Sequence, residues 1–486
     1  MNAFVKAATS AKSKKDARTA NGALTRSTSG KTHLDLFAIV GSARNAQDDA
    51  VKLFSKAYAE DKELALRIAL WARDVRGGAG ERAVFRAFLK NLESSDPITL
   101  QKLVRYVPVF GRVDDVLDTL DVNSKAFELY AMDVKTAIDQ GSQIVAKWTP
   151  RKGAVAVKLR QLWGMTPKQY RKFLVNNTNV VETLMCAKEW DAIQFDKLPS
   201  LAGLRYQKAF GKHSPTQYAK FKDSLVKGEV NVNAGTLFPH NIVANIRQGN
   251  GDKVVMAEQW KRLPDYLGEN SGKVLVMSDV SGSMSCGIGG SVQAMDVSIA
   301  LGIYTAERLK GAFKDVVLTF SGDPKFHKIT GTNIVERINN LARAHWEMNT
   351  DLGKAFDLVL KTAVKNGVSQ EDMPETIVVI SDMEFDQATS GYYYRRGTVT
   401  EKTNFGAIKT KYKSAGYKMP QLVFWNVNGR AGNNPVKHNA DGTSMVSGFS
   451  PAILEAVLTG EQFDPMKVML DVVGKSRYDV AAEVVA

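Results

Sequence analysis

Asp279, Ser281 and Ser283 stand two apart in VLVMSDVSGSM, residues 274–284, directly behind an apolar run. One carboxylate and two hydroxyls fanning out of a tight turn are hard oxygen donors. They suit Mg²⁺ or Mn²⁺ and not zinc. A single charge leaves a divalent ion under-neutralised and open to an acidic ligand from outside. Two more oxygen donors stand where neighbouring loops should approach: Thr350 in EMNTDLGKAF and Asp382 in IVVISDMEFD. A plainer reading fits the same residues, with Asp279 and Ser281 capping the next helix and Asp382 ending its strand in a turn. Glu384 and Asp386 follow Asp382 and are expected at the surface. Hydrolysis would need a nucleophile or an activated water beside a base. His327, His345 and His438 lie outside these motifs and nothing activates Ser281, so the cluster reads as a binding site and not a catalytic one.

Such donors need strand ends to hold them. After about residue 270, short β-branched runs (KVLVMSD, DVVLTFSGD, ETIVVISD, QLVFWNVNG) alternate with helical segments. That alternation predicts an α/β layer, a mostly parallel sheet with helices on both faces. In open α/β sheets ligands bind beyond the carboxyl ends of the strands, where Asp279 and Asp382 fall. DVVLTFSGDPKFHKI can instead form a hairpin, which would add one antiparallel edge strand.

From about residue 33 to 245 the spacing is helical, with apolar residues three and four apart and short joints such as RGGAGE and SSDP. Paired antiparallel helices stacked in series are the expectation, without a strict repeat. The glycines of RGGAGE follow a helix and lack the Lys-Ser/Thr of a phosphate loop. They read as an inter-helix turn held by Arg–carboxylate pairs. The predicted organisation is a flexible basic arm over 1–32, a helical domain over 33–260 and a sheet domain over 261–486.

The chain carries a net charge of +14 over 486 residues. Residues 1–260 hold 40 Lys and Arg against 26 Asp and Glu, whereas 261–486 hold 25 of each. An excess confined to one half points to a polyanion partner for that half. Residues 141–180 contain no acid but carry Lys147, Arg151, Lys152, Lys158, Arg160, Lys168, Arg171 and Lys172. Residues 201–220 add Arg205, Lys208, Lys212 and Lys220, with His213 beside them. Phosphates attract such clusters and release counterions on binding. Trp148, Trp163 and Tyr170 are interleaved and would either stack on unpaired bases or serve as core. Two cysteines are too few for a disulfide framework. They suit a reducing, cytoplasmic setting. The sequence holds neither an apolar secretory signal nor a run long enough to span a membrane, so no membrane role is expected.

Asp-x-Ser-x-Ser followed by Thr and Asp resembles the metal-ion-dependent adhesion site of von Willebrand factor A (vWA) domains. On that resemblance Asp279, Ser281 and Ser283 bind the cation, while Thr350 and Asp382 complete its shell, partly through water. The order of parts resembles the TROVE-module proteins, the Ro autoantigen and its bacterial relatives. The phrases that carry this are ALWARDVRGGAGER, YVPVFGRVDDVL, AKWTPRKG, PKQYRKFL, WDAIQFDKLPSLAGLRYQKAF and TLFPHNIV, followed by SDVSGSM, VVISDMEFD and LVFWNVNG. The likeness is stronger to a little-characterised branch, in SDMEFD, FWNVNG and MVSGFSPAIL. The resemblance implies a monomeric ring of HEAT-like helical repeats closed by a vWA domain. Ro-type members bind small noncoding RNAs on the ring and take single-stranded 3′ ends of misfolded RNA into its basic hole. Two functions follow as expectations. One is a noncatalytic RNA-binding protein with a metal-bearing vWA domain. The other is a protein–protein adaptor whose metal captures a partner's carboxylate.

Overall fold

The computed structural model describes residues 16–18, 24–267, 273–289, 291–320, 323–342, 352–384, 404–429, 432–458 and 464–486. They form a mostly helical N-terminal region and a C-terminal mixed sheet, the α plus α/β organisation expected. Among them no helix is long and apolar enough to cross a membrane.

The sheet has the strands β1 (Val274–Asp279), β2 (Val316–Phe320), β3 (Phe326–Lys328), β4 (Thr376–Ser381), β5 (Gln421–Asn426) and β6 (Thr443–Ser447). Their order is β3-β2-β1-β4-β5-β6. All neighbours run parallel except β2 and β3, so the hairpin reading of DVVLTFSGDPKFHKI holds. β1 and β4 are buried at every residue, as unbroken Val- and Ile-rich runs should be when both faces are covered. The helix Ala294–Arg308 packs on β1. Ser298 Oγ donates to Ile380 O at 3.3 Å and thereby reaches β4. The approach requires a glycine, because a Cβ on Gly302 would collide with Ser278 Oγ.

The compact units do not follow the linear halves. The sheet unit takes in residues 24–53, and the helical unit takes in 473–486 together with 54–265. The part of the expected flexible arm that is described is held: Thr25 and Ser29 are buried, and Arg26 forms a backbone bridge with Asn434. The helix Thr32–Val40 is buried throughout. Ser447 Oγ on β6 donates to Phe37 O at 3.0 Å and accepts from Gly41 N at 2.9 Å. Apolar residues on all sides of this helix fit an element sunk against a sheet rather than one with a solvent face.

In the helical unit, Asp61 caps the helix Lys62–Arg73 by accepting from Leu64 N, and Ser124 caps Lys125–Asp139 through Phe127 N. The buried residues Phe127, Tyr130, Ala131, Val134 and Ile138 show the three-and-four spacing of a packed helix. The RGGAGE segment is an inter-helix turn with an Arg–carboxylate pair. The arginine, however, is Arg477: its Nη2 meets Asp74 Oδ1 at 2.9 Å, and Tyr478 OH meets Asp74 Oδ2 at 3.2 Å. Arg73 turns inward and pairs with the buried Asp115 at 2.7 Å.

Candidate functional site

Two strands with the same ending build the first site. β1 closes on Ser278-Asp279 and β4 on Ser381, with Asp382 next. In register Ser278 faces Ile380, so Asp279 comes level with Ser381. Ser381 Oγ donates to Asp279 Oδ2 at 2.5 Å, and Ser281 N donates to Asp279 Oδ1 at 2.9 Å. Ser281 Oγ and Ser283 Oγ lie 3.0 Å apart. Asp382 is buried, and its Oδ1 accepts Glu384 N at 3.2 Å. Burial first, and the Asp382 carboxylate second, push the Asp279 carboxyl up to about 7. Two carboxylates forced together out of water are stabilised by a cation. The hydroxyls beside them are hard donors without nitrogen or sulfur, the chemistry of Mg²⁺ or Mn²⁺. The donor set fits such an ion. Among the described residues no group of three or more His, Cys, Asp or Glu side chains is arranged to hold a metal, so the hydroxyls would have to share the coordination.

Asp279, Ser281, Ser283 and Asp382 thus come together in one unit; Thr350 and Asp386 lie outside the described residues. Glu384 corrects an expectation. It is only 5% exposed rather than at the surface, and its Oε1 accepts Asn433 Nδ2 at 3.3 Å. Burial follows from the backbone: Met383 adopts a positive φ of 64°, and Asn433 meets the loop it re-aims. Ser381 was missed by sequence reasoning, although the shared Ser-Asp of VMSD and VISD signalled it.

The basic surface forms on the helical unit. The helix Pro167–Asn176 starts with a capping box between Thr166 and Gln169. Exposed Lys168, Arg171 and Lys172 occupy i, i+3 and i+4, one face of that helix. Tyr170 points inward, and its OH donates to Pro150 O at 2.7 Å. That bond sets the loop carrying exposed Arg151 and Lys152 against the helix, and Arg151 Nη2 reaches Thr178 Oγ1 at 3.1 Å. Among the described residues Lys152, Lys168, Arg171 and Lys172 make no ion pair.

Not every candidate cation is available. Lys147 is bound to Glu182 at 2.6 Å and Lys158 to Glu128 at 3.0 Å, while Arg160 is half-buried. Glu182 also accepts Tyr206 OH at 2.9 Å, which joins segment 141–180 to the second basic segment. There Arg205, Lys208, Lys212 and His213 are exposed; Lys208 donates to Asn250 Oδ1 at 2.8 Å and His213 stacks on Trp190 at 4.4 Å. The interleaved aromatics are spent on structure. Trp163 is buried and donates to Ala131 O at 3.0 Å, Tyr170 is buried, and the Arg112 guanidinium lies 3.6 Å over the Trp148 ring. The surface offers charge without stacking platforms from these three rings.

Residues 19–122 and 129–273 match the model of a domain of unknown function, DUF2828, and residues 273–483 match that of another, DUF7788. Uncharacterized protein L728 of Acanthamoeba polyphaga mimivirus is 30% identical over 515 residues, covering 93% of this chain and 86% of that protein. The crystal structure of the Deinococcus radiodurans RO (RSR) protein aligns over 93% of this chain and 99% of its own at 13% identity, with a TM-score of 0.34.

Proposed function

We propose that this chain, which belongs to the DUF2828 family and carries a DUF7788 domain behind it, is a cytoplasmic, noncatalytic RNA-binding protein of the Ro type. The helical unit is the RNA-binding part, a TROVE-like set of HEAT-like repeats; the sheet unit is a vWA domain that holds Mg²⁺ or Mn²⁺. The observation that carries this reading is the exposed face of Lys168, Arg171 and Lys172 with Arg151 and Lys152 beside it. Charges without an ion-pair partner among the described residues are the ones free to meet phosphates. The vWA reading is supported by the 3-2-1-4-5-6 strand order, the antiparallel edge and the carboxylates at the strand ends. Asp279, Ser281, Ser283 and Asp382 would hold the cation, which would supply a docking point for an acidic group.

The test is fluorescence anisotropy with three labelled RNAs: a single strand, a duplex with a 3′ overhang and a blunt duplex. The overhang and the single strand should bind more tightly than the blunt duplex, and Asp279→Ala should leave that ranking in place. Binding lost with Asp279→Ala and kept when the basic face is neutralised would place the RNA on the sheet unit and refute the proposal. The same RNAs incubated with Mn²⁺ should remain intact. Cleavage abolished by Asp279→Ala would replace binding with catalysis.

A further inference from the structure

The Asn433 amide ties the loop bearing Asp382 to the N-terminal segment. Asn433 Nδ2 donates to Met383 O at 3.0 Å and to Glu384 Oε1 at 3.3 Å. Its Oδ1 accepts Thr25 Oγ1 at 3.0 Å. Thr25 Oγ1 also reaches Asn434 O at 3.0 Å, and the backbones of Arg26 and Asn434 exchange bonds of 3.0 and 2.9 Å. At the far end Glu384 N closes on Asp382 Oδ1. A continuous run of hydrogen bonds therefore leads from residue 25 to a carboxylate of the candidate cation site.

We propose that Asn433 and Thr25 are positioning residues for divalent-cation binding, so that the N-terminal segment is a working part of the site. The inference rests on the cation reading above. Two features of the loop call for such a clamp. Met383 holds a left-handed φ of 64°, which a non-glycine residue keeps only when its surroundings enforce it. Glu384 is a buried carboxylate two residues from Asp382, and without a donor it would swing toward the cation or out to water. The Asn433 amide is such a donor. Met383 O and the Glu384 carboxylate fix which way the amide faces, because both accept, and they leave its oxygen end to the Thr25 hydroxyl. Groups beyond the ligand shell that orient ligands in this manner typically change metal affinity about 10- to 100-fold when removed.

The test uses the full chain with Mn²⁺ as probe, measuring the dissociation constant by calorimetry and the melting temperature in EDTA. Wild type should bind and Asp279→Ala should not. Asn433→Ala should bind about tenfold or more weakly, and Thr25→Val should shift affinity the same way by less. A residue that only braces the fold would lower the melting temperature in EDTA and leave the Mn²⁺ constant unchanged; that result for Asn433→Ala overturns the inference while the cation site stands. Wild type without Mn²⁺ binding removes the cation reading, and the inference falls with it.

Discussion

Replacing Arg151, Lys152, Lys168, Arg171 and Lys172 with Gln tests where the affinity for RNA comes from. All five are exposed and none is engaged in an ion pair among the described residues, so the fold should barely notice their loss. Lys147 and Lys158 are left alone because Glu182 and Glu128 depend on them. Each phosphate contact on a single strand contributes about −0.7 to the slope of log affinity against log salt, so five contacts account for about −3.5. Over a fourfold rise in salt, from about 50 to 200 mM, that slope alone is worth about 100-fold in affinity. The variant should therefore bind more weakly at low salt and lose much less on salt addition. Anisotropy titrations at four or more salt concentrations, with melting temperatures as a folding control, give the slope directly. A variant that melts like wild type and keeps its full salt slope would refute the assignment of RNA to this face.

The pH and packing predictions are independent of RNA. Burial works against the Asp96 carboxylate, yet the Lys62 ammonium, Thr99 N–H and Tyr58 OH outweigh it and hold the group down to about 2. A depressed carboxyl stabilises the fold above its unfolded value, near 3.8, and that contribution disappears as pH falls toward 2. Because Lys62 is half solvated, the contribution is about 1 kcal/mol; Asp96→Asn should melt lower at pH 7, and the difference from wild type should vanish near pH 2. Gly111→Ala would set a methyl 2.6 Å from Arg73 Nε and into Asp115 Oδ2, splitting a buried ion pair. A loss of about 3 kcal/mol or more is expected in urea unfolding, and a loss under 1 kcal/mol would show that the pair relaxes freely.

Strands β1, β4 and β5 were legible because they are short apolar runs closed by Ser-Asp or Asn, a pattern that tertiary context has little freedom to override, whereas β6, the Ser-rich TSMVS, was not among the expected strands. Asp279 and Asp382 were legible for the same reason, since a strand end fixes where the next side chain projects. What escaped depends on distant residues. The helix Thr32–Val40 reads like its helical neighbours, and it is tertiary contacts such as its hydrogen bonds with Ser447 that assign it to the sheet unit. Asp74 sits among Arg73, Arg76 and Arg82 in sequence, yet its partner is Arg477, 403 positions away. Charge counting located the basic half but could not separate Lys147 and Lys158, already committed to glutamates, from Lys168 and Arg171. Of the two readings open for the interleaved aromatics, Trp163 and Tyr170 take the core one: they sit among cations because a helix alternates its faces every few residues, and theirs is the inner one.

The exchange of end segments between the two units bears on how the protein is made. Domains emerging from a ribosome generally fold in order of synthesis. Here residues 54–265 leave the tunnel with Asp74 in place but without Arg477 and Tyr478, which arrive only after the whole sheet unit has been translated. During that interval the Asp74 carboxylate lacks these two partners and keeps its water, and the last segment closes over it only once translation has passed residue 478. A fragment cut near residue 260 would leave the carboxylate without them, and its helices should melt lower than in the full chain.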